Sequence, residues 1–140
     1  MEAAHNAYRQ NRKTGLTRID MLIALYDKTL KTLDAGTQAL RDGDTETFAS
    51  AQIMACRCVL ALLDGIDTAQ GEVAENTQRL CLFVAGLIQE TGVANWQNAQ
   101  KLLQPMHDSF QAIREEAIAL EASGKIPELN FQATYEHAVL

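Results

Sequence analysis

From Thr17 onward, apolar residues recur at steps of three and four, the period of a helix with one face turned to a core. No stretch sustains the alternation of a strand. The first helical segment opens at Thr17, a residue suited to capping, with Asp20 at the capping-box position. Its stripe is Ile19, Leu22, Ile23, Tyr26, Leu30, Leu33, Thr37 and Leu40, and Asp42-Gly43-Asp44 reads as a stop and restart. A second segment runs from about Thr45 to Ile66, and Gly71 punctuates the link after it. The third covers Glu72 to Thr91, with Val73, Asn76, Leu80, Val84 and Leu87 on one face, and Gly92 closes it. The fourth has the most regular seam: Trp96, Ala99, Leu103, Met106, Phe110, Ile113, Ala117 and Leu120. Pro105 interrupts that seam without shifting its phase, which predicts one kinked helix rather than two. Ser123-Gly124-Lys125-Ile126-Pro127 ends the regular part, and Glu128 to Leu140 carries too few signals to assign.

Short links between long helices favour antiparallel neighbours. The pattern therefore predicts an all-α protein, an antiparallel up-down four-helix bundle with helices about 30 to 40 Å long. Three regions are expected: an N-terminal arm over 1–16, the bundle over 17–122 and a short C-terminal tail over 123–140.

The second helix is apolar on more sides than one core contact needs. Phe48, Ala51, Ala55, Cys58, Leu62 and Ile66 form one stripe; Ile53, Cys56, Leu60 and Leu63 form another. A helix of this kind must be covered on more than one side. Two arrangements satisfy it: a central place in a tight bundle, or an apolar groove taken by a partner segment or by the arm. Under the second, Ile53, Cys56, Leu60 and Leu63 face the partner.

Composition narrows the class. With 140 residues, 47% hydrophobic and 21% charged, the chain has the makeup of one folded domain. A net charge of −6 is the wrong sign for a general nucleic-acid binder. The charge is uneven: Arg9, Arg12, Lys13 and Arg18 stand against Glu2 alone in residues 1–18, whereas seven acids face only Arg57 and Arg79 from Asp44 to Glu90. A basic arm beside an acidic body leaves two readings open, an arm that lies on its own body and an arm that is simply solvated. The longest apolar run, Met21 to Tyr26, is far short of the ~20 residues that span a bilayer, and Met1 to Asn6 shows no secretory signal. No membrane insertion is expected, and a cytoplasmic location is.

Little in the chain could carry chemistry. Three cysteines cannot all pair, and Cys56, Cys58 and Cys81 sit in apolar stretches, as packing residues do in a reducing compartment. Cys56 and Cys58 would point about 200° apart on a helix, a poor start for a zinc site. His5, His107 and His137 fall in no catalytic motif. The Glu-x-x-His pair of a di-iron bundle occurs only at Glu2–His5, before any predicted helix, and no Gly-rich phosphate loop appears. A non-enzyme without a cofactor is expected.

Three blocks carry a family resemblance. Asn6-Ala7-Tyr8-Arg9-Gln10-Asn11, followed by Thr17 and by Met21-Leu22-Ile23-Ala24-Leu25-Tyr26-Asp27, resembles the N-terminal Asn-Ala-Tyr-x-x-Asn, helix start and Leu-Tyr-Asp run of the flagellar export chaperone FliS family. Gly71-Glu72-Val73-Ala74-Glu75-Asn76 is similar to that family's Gly-Glu-Ile-Ala-x-Asn, and Leu102-Leu103-x-x-Met106-x-x-x-Phe110 to its closing helix-four motif. The resemblance spans roughly residues 6 to 118. It implies a cytoplasmic chaperone that binds the disordered C-terminal segment of flagellin, prevents premature polymerisation and helps deliver it to export apparatus components. It also implies that the arm, with Tyr8 and Asn11, gates or occupies the client groove, and it adds Tyr26 to the partner-binding set. The alternative is a structural or regulatory bundle that forms a homodimer through helix two.

Overall fold

The structure, a computed structural model, describes residues 17–124. Among them are five α-helices and no strand: α1 (Arg18–Asp42), α2 (Thr45–Asp64), α3 (Glu72–Leu87), α4 (Val93–Ala112) and α5 (Arg114–Ala122), with a 3-10 turn at Thr68–Gln70. The all-α class expected from the pattern holds. The arm, including Tyr8 and Asn11, and residues 125–140 lie outside the described part.

The helix ends follow local chemistry. The Thr17 hydroxyl accepts the Asp20 amide at 3.3 Å and donates to the Asp20 carboxylate at 3.1 Å, a capping box at the start of α1. At the other end Gly43 turns left-handed, the Asp44 amide reaches the Ala39 carbonyl at 2.9 Å, and Asp44 caps α2 by accepting the Thr47 amide at 3.1 Å. Gly71 enters α3 at φ 123°, a conformation that side chains with a Cβ rarely adopt.

α1 and α3 each pack against both α2 and α4. Gly36 of α1 lies against Trp96, and Asp27 against His107 further along α4, so these two helices run antiparallel. The start of α2 meets the end of α3, where Gln52 donates to the Ile88 carbonyl at 2.9 Å, while a short link joins their other ends. The shared core includes Leu25, Leu33, Ala55, Cys58, Val84, Ile88, Trp96 and Leu103, all fully buried.

Three details differ from the sequence pattern. First, the most buried helix is α1, not α2. Its predicted stripe widens to include Met21, Leu25, Thr29, Thr32 and Gly36, because α2 covers one side and α4 another. The threonines fit there because each hydroxyl donates to the carbonyl four residues back, Thr29 to Leu25 at 2.7 Å and Thr37 to Leu33 at 2.8 Å. Second, the predicted α3 face holds only in its later part: Val84 is buried and Leu87 packs on the core, joined by Cys81 and Ile88, whereas Val73 is 82% exposed. Apolarity at helical spacing found Val84 and Leu87 but could not tell that Val73 stands clear of the core. Third, α4 runs through Pro105 and breaks at Ile113. Pro105 and Lys101 are both exposed, so the carbonyl left without a donor is on the water side. The break at Ile113 lets α5 turn back onto the start of α1, where Arg114 pairs with Asp20.

Candidate partner-binding surface

The first stripe of α2 enters the core as expected: Phe48, Ala51, Ala55, Cys58 and Leu62 are buried, and Ile66 is half-buried just past the helix. The second stripe splits. Cys56 and Leu63 are half-buried and pack on the core edge, whereas Ile53 and Leu60 are 58% and 63% exposed. At spacings of three, four and three, these four residues form a continuous ridge along α2. The apolar excess of α2 is thus only partly used by the bundle.

α3 supplies the neighbouring wall. Just past the end of α3, the Gln89 side chain reaches the Cys56 sulfur at 3.3 Å. Leu82, Phe83 and Val73 are all exposed on α3. The sequence pattern assigned none of these three to a surface. The signal was present, since Leu82 and Phe83 lie off the helix's best stripe, yet an off-stripe apolar residue carries no label saying what covers it.

Arg57 lies between Ile53 and Leu60 on the exposed side of α2, and Arg79 is held on α3 by Asn76 at 3.3 Å. The other charged residues of the α2–α3 stretch are acids: Asp44, Glu46, Asp64, Asp67, Glu72, Glu75 and Glu90. An apolar ridge on a stretch with this acidic balance favours an apolar segment carrying basic flanks.

Tyr26 differs from the other named residues. It is 2% exposed, and its ring lies 5.4 Å from that of Phe110. Two of the resemblance blocks thus meet inside the bundle, and Tyr26 shapes the core between α1 and α4. Burial raises its phenol well above the ordinary range.

The remaining titratable groups do structural work. Burial pushes the Cys81 thiol up to about 11 and raises Cys58 as well, so both stay protonated at neutral pH and are poor nucleophiles. His107 Nε2 lies 3.0 Å from Asp27 and Nδ1 lies 3.1 Å from Asp108, linking α4 to α1. The Asp20 carboxyl is held below its ordinary value chiefly by its hydrogen bonds from Arg114.

Such a surface defines a class: a helical bundle that presents an open apolar ridge. The sequence model of the flagellar protein FliS family matches residues 1–117, and the chain belongs to that family, the flagellar export chaperones. No curated protein and no solved structure matches the chain. FliS is a family of chaperones rather than of enzymes.

Proposed function

We propose that this protein is a cytoplasmic chaperone for the disordered C-terminal segment of a flagellin, held on the α2 ridge and the adjoining side of α3. The observation that carries this reading is the exposure of Ile53 and Leu60 beside Cys56 and Leu63 on α2, with Leu82 exposed on α3. A flagellin terminus folds into helices when it meets apolar surface, and covering that surface prevents premature polymerisation and keeps the chain ready for export. Helix in groove is the mode of recognition.

Magnitudes support a client that extends past the ridge. Full burial of a leucine or isoleucine contributes about 1.5–3 kcal/mol, so covering the open parts of three such side chains yields roughly 3–5 kcal/mol. Ordering a disordered segment costs ~2–5 kcal/mol or more, which offsets most of this. Further stretches of client must therefore wrap the four long helices, which we take as an up-down bundle over 17–122. The arm, residues 1–16 with Tyr8 and Asn11, lies over part of the groove in the free protein and moves when the client binds. Residues 123–140 form a separate tail, and export apparatus components receive the loaded complex.

Light scattering on a sizing column, with and without a flagellin C-terminal segment, tests the reading. A 1:1 complex is expected. A tight homodimer that ignores the segment would instead make the ridge a self-association surface.

A further inference from the structure

The contacts of α5 set it apart from the other four helices. None of its nine residues is buried, whereas every other helix contributes to the core. It follows α4 after a break at Ile113, whose φ of −99° and ψ of 7° leave the helical region. Its apolar residues Ala117, Ile118 and Leu120 are only half-buried, and two polar contacts pin it. The Arg114 guanidinium donates Nη2 to Asp20 Oδ2 at 3.2 Å and Nε to Oδ1, a fork on one carboxylate. Seven residues past Arg114, Glu121 accepts the Arg18 backbone amide at 3.1 Å, one of the donors that the first turn of α1 leaves without a helical partner. Between these two fastenings α5 does not close on its neighbours: an apolar cleft of about 170 Å³ remains, lined by Ile19, Leu22, Phe110 and Ala117.

We infer that α5 is a latch, a unit that opens at Ile113 while α1 to α4 stay folded, and that Asp20–Arg114 and Glu121–Arg18 hold it shut. Two physical points lead there. One part-buried ion pair and one charged hydrogen bond hold α5 at two points, whereas α1 to α4 are joined by a continuous apolar core. A helix of nine residues is also too short to persist alone, so undocking and unwinding occur together. Opening uncovers Ile19, Leu22 and Phe110 at the α1 start, and closing covers them again.

Amide hydrogen exchange on the full chain tests the latch, because the backbone amides of 117–122 report docking directly. The expected result is exchange in this segment roughly a hundredfold faster than at Leu25–Leu33, yet slower than in an unfolded chain. Arg114→Gln and Glu121→Gln should each speed α5 exchange by roughly fivefold and leave α1 and α4 rates unchanged, with Arg114→Lys in between. The inference is overturned by any of three outcomes: protection of α5 equal to that of the α1 core, exchange of α5 at the unfolded rate, or variants that accelerate α1, α4 and α5 in step.

Discussion

Gly36 faces the six-membered ring of Trp96, and replacing it by alanine sets two effects of known size against each other. Alanine is better than glycine inside a helix by about 1 kcal/mol, so an unobstructed site would gain stability. At Gly36 the added carbon would lie 2.7 Å from Cε3 and 2.9 Å from Cη2 of Trp96, well inside ordinary contact. The indole cannot step aside. Its Nε1 donates to the Glu90 carbonyl at 2.9 Å, its ring lies 5.0 Å from Phe48, and it is fully buried. Overpacking typically costs about 1–3 kcal/mol, and a displaced indole loses a hydrogen bond contributing roughly 1 kcal/mol. The net expectation is a loss of about 1–3 kcal/mol. For a domain of this size that lowers Tm by roughly 3 to 12 °C. Trp96 is the sole tryptophan of the chain, so its fluorescence reports the same contact during urea unfolding. Gly86 is the control: a Cβ there meets nothing within 4 Å, and Gly86→Ala should stabilise by up to ~1 kcal/mol. A Gly36→Ala protein as stable as the parent, with unchanged tryptophan emission, would refute the packing described for α1 and α4.

Other expectations follow from the same geometry. Replacing Cys58 or Cys81 by alanine should cost on the order of 1 kcal/mol each in urea titrations, and both thiols should resist a thiol reagent in the folded protein while half-buried Cys56 reacts first. Because Arg114 lowers the Asp20 carboxyl below 3.8, its stabilisation is complete above that value and is lost as pH falls through the lowered one. Asp20→Asn should therefore flatten part of the acid limb of a Tm-versus-pH curve, and an unaltered curve would count against the ion pair. Deleting residues 1–15 should leave the helical circular dichroism in place but change affinity for flagellin, upward if the arm competes and downward if it clamps; unchanged affinity would remove the arm from the account.

How much of this was legible in the sequence depends on whether a feature is local. Thr17, Asp20, Gly43, Gly71 and Asp44 announce helix ends because capping is settled within a few residues, and the structure uses each of them. The α2 ridge was legible for a related reason: one helix carried two apolar stripes, and the core took only one. Features that depend on pairs of distant residues were not legible. Nothing near Gly36 says that Trp96 will press against it, and nothing near Pro105 says that its side of α4 faces water. On α3 the predicted face was right at Val84 and Leu87 and wrong at Val73, which looks like a core residue yet is exposed. Apolarity signals that a residue is to be covered, by the bundle or by something else, without saying which.

The claim that the α2 ridge holds the client is tested most directly by titration calorimetry of a flagellin C-terminal segment into the full chain at several temperatures, alongside an Ile53→Asp, Leu60→Asp double variant. Both positions are exposed, so the variant should fold with an unchanged helical spectrum. The account predicts 1:1 binding by the parent, a negative heat-capacity change from apolar burial, and an affinity roughly a hundredfold lower in the variant. Equal binding by parent and variant, or a heat-capacity change near zero with binding abolished by moderate salt, would contradict it.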